Sequence, residues 1–361
     1  MSRAALLKYK FNNGAKAFRR WIIPYSMSLV YNNQFRPVLS YLFTDWRCNI
    51  NCHYCFQFDN VGNYMSLDTA ISSIDWLKSL GCRVIAIMGG EPSIRKDFIL
   101  KVIEYGSENN FFMYFPTNGY LLTEDFIDKL GKAKVATINL AVDCIEPKPG
   151  LPKALMPIEP QFRYLVKQQR RYGYIIFFNI NITSENIKEV KMLTEIAHEN
   201  GLATDYHINQ RPQQVADSNH FKYNDKDLYI KPEQYDEAEE LLDWIIMKIR
   251  RGHTVINSIS HLIAMKNQIK SIPTQWDCRA GHNGLLIKPD GTLSPCFDLI
   301  SYDYDWGRIW HPKFNQDELT NIKSKCRDHC LSTCFFTMGH YYQIFESLKW
   351  MFKHSNVGSI R

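Results

Sequence analysis

The sequence predicts an α/β protein in which short apolar strands alternate with longer amphipathic helices. Six runs rich in apolar and β-branched residues recur between residues 38 and 209, and helical patterns separate them. Because strands joined by helices pair in parallel through right-handed crossovers, we expect a sheet that is buried on both faces. The periodicity fits either an open doubly wound sheet or a partial barrel, and in both folds ligands gather at the carboxyl ends of the strands.

Local sequence patterns predict the bounds of the individual helices and strands. The helix in "SLDTAISSIDWLKSLG" opens with Ser66 as N-cap and stops at Gly81, and a longer helix spans Pro232–Arg251. The predicted strands are Pro37–Phe43, Arg83–Met88, Phe111–Thr117, Ala136–Val142, Ile175–Ile182 and Thr204–Asn209.

Composition excludes several classes of protein. A chain of 361 residues with 45% hydrophobic and 22% charged residues can bury a large core and is not disordered. The net charge of +6 is too weak and dispersed to indicate nucleic-acid binding. The start of the chain lacks the unbroken apolar core of a signal peptide, and no segment reaches transmembrane length. We therefore expect a cytoplasmic protein whose ten cysteines are reduced and available as ligands.

Three cysteines follow the first strand closely. Cys48, Cys52 and Cys55 lie in "CNINCHYC", where only His53 could complete the four ligands of a structural zinc site, and its place inside the C-x2-C segment makes that awkward. A [4Fe–4S] cluster needs one thiolate per iron, so three cysteines leave one iron open to an outside ligand.

A glycine pair follows the second strand, in "GGEP". Gly89 and Gly90 allow the backbone to approach a ligand, and Glu91, before Pro92, offers a carboxylate to an ammonium ion. Taken alone, the motif is also typical of an ordinary turn with an acidic residue at a helix N-terminus.

C-x3-C-x2-C with Tyr54 before its last cysteine, followed one strand later by "GGEP", resembles the radical S-adenosylmethionine superfamily. The resemblance implies a partial (β/α)6 TIM-type barrel in which Cys48, Cys52 and Cys55 hold a [4Fe–4S] cluster. The free iron would bind S-adenosylmethionine, with Tyr54 near the adenine and Met88–Pro92 at the methionine ammonium. An electron donor such as flavodoxin or ferredoxin would trigger cleavage to a 5′-deoxyadenosyl radical.

Further candidates stand on the later strands. By the same resemblance, the turn at Thr117 and Asn118 belongs to the cofactor site, and Asp143 contacts the ribose. Three side chains could face the same cavity or serve only as core or turn residues, since the facing of doubly buried strands cannot be read from the sequence. They are Asn179, Asn181 and His207.

Two cysteines stand apart from the clusters. Packing is the first interpretation for both Cys82 and Cys144. Cys144 has a second one, because an epimerase needs a hydrogen-atom donor and this thiol adjoins Asp143 at a strand end.

The C-terminal region carries five more cysteines. Cys278 and Cys296 stand at the outer ends of a hairpin whose turn is Pro289–Gly291. With Cys326, Cys330 and Cys334, they resemble SPASM and twitch domains, which implies one auxiliary [4Fe–4S] cluster held by the hairpin pair and two or three of the remaining thiols. Without the first triplet, the same module would also suit a zinc ribbon.

These signals divide the chain into five segments. A basic amphipathic segment (1–36) precedes the barrel (37–210), a helical region (211–270), the SPASM/twitch-like domain (271–340) and a tail (341–361). The first segment, with Arg19, Arg20 and Trp21, either lies on an anionic membrane or packs over the bottom of the barrel.

The reaction is less constrained than the cofactor. We expect hydrogen abstraction from a non-peptide organic substrate, leading to oxidation or epimerisation. "RPVLSYLFTDWRCNINCHYC" also loosely resembles the hopanoid adenosyltransferase group, which implies adenosyl transfer or C–C bond formation on a lipid. Two more functions stay open on the sequence, namely modification of a peptide and a non-catalytic role in binding zinc or an iron–sulfur cluster.

Overall fold

The structure is a computed structural model that describes residues 18–30, 35–58, 60, 62–209, 228–274, 276–300, 305–326, 330–332 and 334–336. Most of the predicted basic segment and all of the predicted tail lie outside these residues. None of the described helices is long and apolar enough to cross a bilayer.

One eight-stranded sheet organises the fold. Its first six strands follow each other in sequence order, and all five pairings between them are parallel. This confirms the predicted α/β class with its partial (β/α)6 barrel. The strands are β1 (Leu39–Phe43), β2 (Val84–Met88), β3 (Phe112–Thr117), β4 (Thr137–Ala141), β5 (Ile175–Ile182) and β6 (Ala203–Ile208).

The C-terminal hairpin extends this sheet. β7 (Gly284–Ile287) pairs in parallel with β1 and antiparallel with β8 (Leu293–Ser294), across the predicted turn that ends at Gly291. A small two-stranded sheet of β9 (Gly307–Arg308) and β10 (His311–Pro312) follows. The hairpin that bears Cys278 and Cys296 is thus joined to the barrel by backbone hydrogen bonds.

Helices separate the strands and cover the outside of the sheet. They are α1 (Ile23–Val30), α2 (Leu67–Ser79), α3 (Lys96–Glu108), α4 (Glu124–Lys132), α5 (Glu159–Tyr172), α6 (Ile187–Glu199), α7 (Tyr235–Arg250), α8 (Ile259–Ile269) and α9 (Gln316–Cys326). Ser66 caps α2 as predicted, accepting a 3.0 Å hydrogen bond from the Thr69 amide. The helix predicted from Pro232 begins with one 3₁₀ turn, Pro232–Gln234, before α7.

Alternation along the strands divides the buried side chains into two sets. One set packs beneath the helices and includes Leu42, Ile85 and Ile138. The other faces the barrel interior, where Tyr41 and Phe43 meet Leu286 of the C-terminal hairpin. The interior surface near β1 is therefore aromatic, and the C-terminal module contributes to it.

The described part of the N-terminal segment packs against the barrel. The Trp21 ring makes edge contacts with Phe112 and Tyr114, both at 6.2 Å between centroids. Arg20 donates two hydrogen bonds to Asn110 Oδ1, just before β3. Residues 18–30 therefore pack over the amino end of the barrel, which is the second of the two predicted arrangements for this segment.

The glycine pair after β2 brings the cysteine loop against the strand ends. The amide of Gly90 donates to the Asp45 carbonyl (2.9 Å), and that of Glu91 donates to the Arg47 carbonyl (2.8 Å). A Cβ atom on Gly90 would lie 2.1 Å from the Arg47 carbonyl oxygen, and one on Gly89 would lie 2.6 Å from that of Asp45. The glycines therefore admit the backbone of the cysteine loop, a role that the motif alone does not indicate.

We expect the Gly90→Ala variant to lose about 1–3 kcal/mol of unfolding free energy, because the backbone that its methyl group meets cannot step aside. Thermal unfolding measures the loss. Gly106→Ala is the matched control, because the three atoms nearest to the methyl group there all belong to the flexible Met113 side chain. Equal unfolding temperatures for the two variants would contradict this account of the glycine pair.

Candidate active site and auxiliary thiol cavity

The cysteine triplet lies in the loop after β1, at the carboxyl end of the sheet. Cys52 is 4% exposed, while Cys48 and Cys55 are half-buried. Burial raises the pKa of all three thiols, that of Cys48 to about 11. Thiols held protonated in this way release their protons when a metal binds, so metal loading must supply the energy for deprotonation.

An ion pair between a buried carboxylate and a partly exposed arginine fixes the start of this loop. The Asp45 carboxylate, 1% exposed, accepts hydrogen bonds from the Arg47 side chain at 2.9 Å (Nε) and 2.6 Å (Nη2). Asp45 also accepts from the Arg47 amide (3.0 Å). This contact bends the chain immediately before Cys48, whose amide donates to Asn60 Oδ1 (2.8 Å).

Glu91 joins the ends of two strands. Its carboxylate is 2% exposed and accepts hydrogen bonds from the Ser93 amide and hydroxyl, from Thr117 Oγ1 (2.8 Å) and from the Asn118 amide (2.8 Å). Asn118 Nδ2 in turn donates to Asn49 Oδ1 in the cysteine loop (2.8 Å). The predicted residues after β2 and β3 therefore form one network, and the Glu91 side chain serves protein donors within it.

Tyr54 and Asp143 form a second buried link. Tyr54 Oη donates to Asp143 Oδ2 (2.5 Å), and the Asn181 amide donates to Asp143 Oδ1 (2.8 Å). Burial raises the pKa of Asp143, opposed chiefly by the positive charge of Lys153. These contacts connect the cysteine loop to the ends of β4 and β5.

Lys153 is a site residue that no sequence motif indicates. It belongs to the segment 145–154, whose backbone packs over the cysteine loop through a 3.0 Å bond from the His53 amide to the Gly150 carbonyl. Lys153 Nζ lies 5.2 Å from the centre of the Tyr54 ring. Burial lowers the pKa of Lys153, but the negative charges of Asp143 and of the triplet sulfurs once they are deprotonated outweigh this effect and raise that pKa. The triplet thus has a cation beside it.

The two cysteines outside the clusters are buried, and their thiols donate hydrogen bonds to backbone carbonyls. Cys144 Sγ donates to the carbonyls of Leu151 (3.4 Å) and Lys153 (3.5 Å), and burial raises its pKa to about 12. Cys82 Sγ donates to the Val84 carbonyl (3.4 Å). Both are fully buried, as the packing interpretation expects.

Asn179, Asn181 and His207 lie on the inner face of the last two strands. In the parallel register Asn179 is paired with Asp205, and Asn181 with His207. His207 Nε2 and Asp205 Oδ2 are 3.5 Å apart. Asp205 was not among the predicted site residues. It lies two positions before His207 on the same strand, so the two side chains are on the same face of the sheet.

Four of the five C-terminal cysteines surround one cavity. Asp298, beside Cys296, and Lys323, on α9, line the same space. Cys330 Sγ donates to Asp298 Oδ2 (3.7 Å), and Lys323 Nζ donates to the Cys278 carbonyl (2.9 Å). The cysteines around this cavity are Cys278, Cys296, Cys326 and Cys330.

Cys334 stands apart from that set. Its thiol shares a hydrogen bond with the Tyr41 hydroxyl, and burial raises its pKa to about 12, with a further contribution from Asp205. Tyr41 belongs to the inner face of β1 and packs on Phe297 at 4.7 Å between ring centroids. Cys334 therefore borders the barrel interior.

Within the described residues, no three Cys, His, Asp or Glu side chains converge on a single-ion site. A [4Fe–4S] cluster takes one thiolate on each of its irons, so its ligands stand further apart than those around one zinc ion. Both cysteine sets supply the thiol donors that such a cluster uses, and the triplet is accompanied by a cation that suits its negative charge.

Comparison with known proteins identifies the domain that bears the triplet. The family model for the radical SAM superfamily matches residues 47–203. The AdoMet-dependent heme synthase of Methanosarcina barkeri (strain Fusaro / DSM 804) is 27% identical over 169 residues, which are 45% of this chain and 47% of that protein. The Fe-coproporphyrin III synthase of the same organism is 23% identical over 234 residues, 62% of this chain and 54% of that protein.

A GTP 3′,8-cyclase of Synechocystis sp. is 31% identical over 132 residues, 35% of this chain and 39% of that protein. The chain therefore spans only about half, or less, of the length of these relatives.

Solved structures share the fold at low sequence identity. Streptococcus suis SuiB bound to S-adenosylmethionine superposes with a TM-score of 0.59 at 18% identity, covering 81% of this chain and 67% of that one. The protein anSMEcpe with bound AdoMet has a TM-score of 0.56 at 17% identity, covering 89% of this chain and 99% of that one. The radical SAM family uses a [4Fe–4S] cluster and S-adenosylmethionine, and its homologous members are enzymes. Residues 47–203 of this chain form a radical SAM domain of that superfamily.

Proposed function

We propose that this protein is a radical SAM enzyme that abstracts a hydrogen atom from a non-peptide organic substrate, leading to oxidation or epimerisation. The observation that carries the proposal is the grouping of three thiols and Lys153 at the carboxyl end of a radical SAM barrel. When bound, the cluster and S-adenosylmethionine supply the 5′-deoxyadenosyl radical. The chain supplies their binding site and the walls of the cavity.

The residues around the triplet suit these groups. Cys48, Cys52 and Cys55 would hold the cluster, leaving one iron for the cofactor's amino acid moiety. Lys153 offsets negative charge there and can bind a carboxylate. Because the Glu91 carboxylate already accepts from four protein donors, we propose that the glycine turn binds the methionine ammonium mainly through backbone carbonyls.

For the ribose and adenine, Asp143 and Tyr54 remain the proposed contacts. Their mutual hydrogen bond holds the two groups together, and Lys153 Nζ lies beside the Tyr54 ring. The buried link to the Asn181 amide fixes the Asp143 carboxylate in one orientation, so little conformational entropy is lost when a ligand binds there.

For the C-terminal module we propose one auxiliary [4Fe–4S] cluster. The four thiols around the cavity match the number of irons, and Lys323 lies beside them. In this assignment Cys278, Cys296, Cys326 and Cys330 are the ligands. Cys334 is then the spare thiol, which the C-x3-C-x3-C spacing alone could not identify. The cluster would anchor the substrate or accept an electron.

The walls of the interior bear on which substrate class fits. Among the described residues, the Asn179 side chain has no hydrogen-bond partner and Asp205 has only His207, at 3.5 Å. A purely apolar lipid would add no partner for either, which costs free energy, so adenosyl transfer or C–C bond formation on a lipid is the weaker proposal. Peptide modification has support from one observation, the fold shared with SuiB, which has been solved bound to its precursor peptide SuiA.

If the reaction is epimerisation, a hydrogen-atom donor, often a cysteine thiol, must return a hydrogen atom to the substrate radical. The proposed donor Cys144 is fully buried and donates to two backbone carbonyls. Cys334 borders the interior and is the better placed of the two. The thiyl radical left behind would regain one electron from the low-potential donor, such as flavodoxin or ferredoxin, and one proton from solvent.

Iron counting tests the cluster assignment. Anaerobically reconstituted protein should be brown and contain about eight irons per chain, for two clusters of four. Cys296→Ser and Cys330→Ser should each lower this by about four irons, whereas Cys334→Ser should retain it. Cys82→Ser is the control for a buried thiol outside both sets. Loss of four irons from the Cys334 variant would contradict the assignment, and colourless protein loaded with zinc would favour a zinc site.

The role of Lys153 is tested by Lys153→Met. Removing the cation should weaken S-adenosylmethionine binding by about tenfold, the effect typical of losing one charge-assisted hydrogen bond. The rate of 5′-deoxyadenosine release under a strong reductant should fall with it, at unchanged iron content. Lys148→Met is the control on the same loop, since Lys148 pairs with Glu189 instead. Equal binding by both variants would refute the role of Lys153.

A further inference from the structure

Two neighbouring strands present four polar side chains to the barrel interior. Because paired residues of a parallel sheet share a face, Asn179 stands beside Asp205, and Asn181 beside His207. Asp205 and His207 alternate with Tyr206, which is fully buried on the outer face. We call Asn179, Asn181, Asp205 and His207 the polar wall.

The polar wall has spare hydrogen-bonding capacity. Among the residues that the structure describes, the side chains of Asn179, Asn181 and Asp205 make no hydrogen bond, and Asp205 has only the 3.5 Å ion pair with His207. The Asp205 side chain is 18% exposed, and His207 Nε2 is buried without a hydrogen-bond partner in the described part of the chain. A carboxylate so largely removed from water is costly unless donors reach it, and a ligand in the cavity can supply them.

The facing surface has a different character. Aromatic and apolar side chains of β1, β2 and β3 line it, together with those of the C-terminal module. Asp205 is close enough to this surface to raise the pKa of the Tyr41 and Tyr114 hydroxyls and of the Cys334 thiol. We call Tyr41, Phe43, Met88, Tyr114 and Phe335 the aromatic wall.

We propose that Asp205, with the amides of Asn179 and Asn181, binds a hydroxyl or protonated amine that the substrate carries next to the carbon losing its hydrogen atom. The apolar body of the substrate packs on the aromatic wall. This inference rests on the proposed function and names its substrate class: a small amphiphilic molecule whose O–H or N–H group is the recognised feature. The buried carboxylates of Asp45, Glu91 and Asp143, at the same end of the sheet, already accept hydrogen bonds from protein donors.

Benzyl compounds deuterated at the benzylic carbon can probe this site. The reconstituted full-length protein is given S-adenosylmethionine, dithionite and either α-deuterated benzylamine, α-deuterated benzyl alcohol or methyl-deuterated toluene. Mass spectrometry then reads the deuterated fraction of the 5′-deoxyadenosine formed. We expect this fraction to be about tenfold higher with a donor-bearing probe than with toluene, because a hydrogen bond to a charged group holds the benzylic carbon in place.

Asp205→Asn should reduce that tenfold preference to near unity, whereas Asp243→Asn, an exposed carboxylate on α7, should keep it. A higher fraction from the amine than from the alcohol would identify an ammonium group, and the reverse a hydroxyl group. Equal fractions from all three probes in the unmodified protein, or a preference that survives in Asp205→Asn, would overturn the inference alone. Absence of any 5′-deoxyadenosine would overturn the proposed function on which it rests.

Discussion

The arrangement of the strand ends around the cysteine triplet depends on the hydrogen bonds to the buried Glu91 carboxylate. This carboxylate gathers donors from the turn after β2 and from the turn after β3, and Asn118 carries the connection on to Asn49 in the cysteine loop. A carboxylate at 2% exposure is tolerable because four protein donors reach it. The strand ends, the glycine turn and the cysteine loop are thereby held as one unit, in which displacing one part leaves donors of another unsatisfied.

The fold was predictable because strands of a parallel sheet are nearly continuous apolar runs, so β5 could be delimited residue by residue. The face of the sheet on which each side chain lies was harder to predict. β6 mixes polar, aromatic and aliphatic residues, and only its register with β5 shows that Asp205 and His207 share a face with Asn179 and Asn181. Lys153 sits in a proline- and glycine-rich segment without a motif, so nothing in its local sequence indicates that this segment folds back over the thiols. Likewise, Cys326, Cys330 and Cys334 are equally spaced, and only tertiary structure separates the third from the other two.

Charge is distributed unequally along the interior. Near the triplet, Lys153 provides positive charge beside groups that become anionic on metal binding. Deeper along β6, Asp205 provides negative charge, and His207 Nε2 lies 3.5 Å from its carboxylate. In the proposed site, an anionic group is therefore favoured near Lys153, and a hydroxyl or ammonium group is favoured near Asp205. Such an arrangement orients reactants without contact along their whole length.

The parallel pairing of β7 with β1 makes the C-terminal module an integral part of the sheet. In its absence β1 would become an edge strand, with its backbone N–H and C=O groups open on one side and the aromatic side chains of Tyr41 and Phe43 uncovered. Exposed edges of this kind pair with other chains and aggregate. The module therefore protects the barrel from self-association, and shortening the chain before residue 284 would yield an aggregating protein.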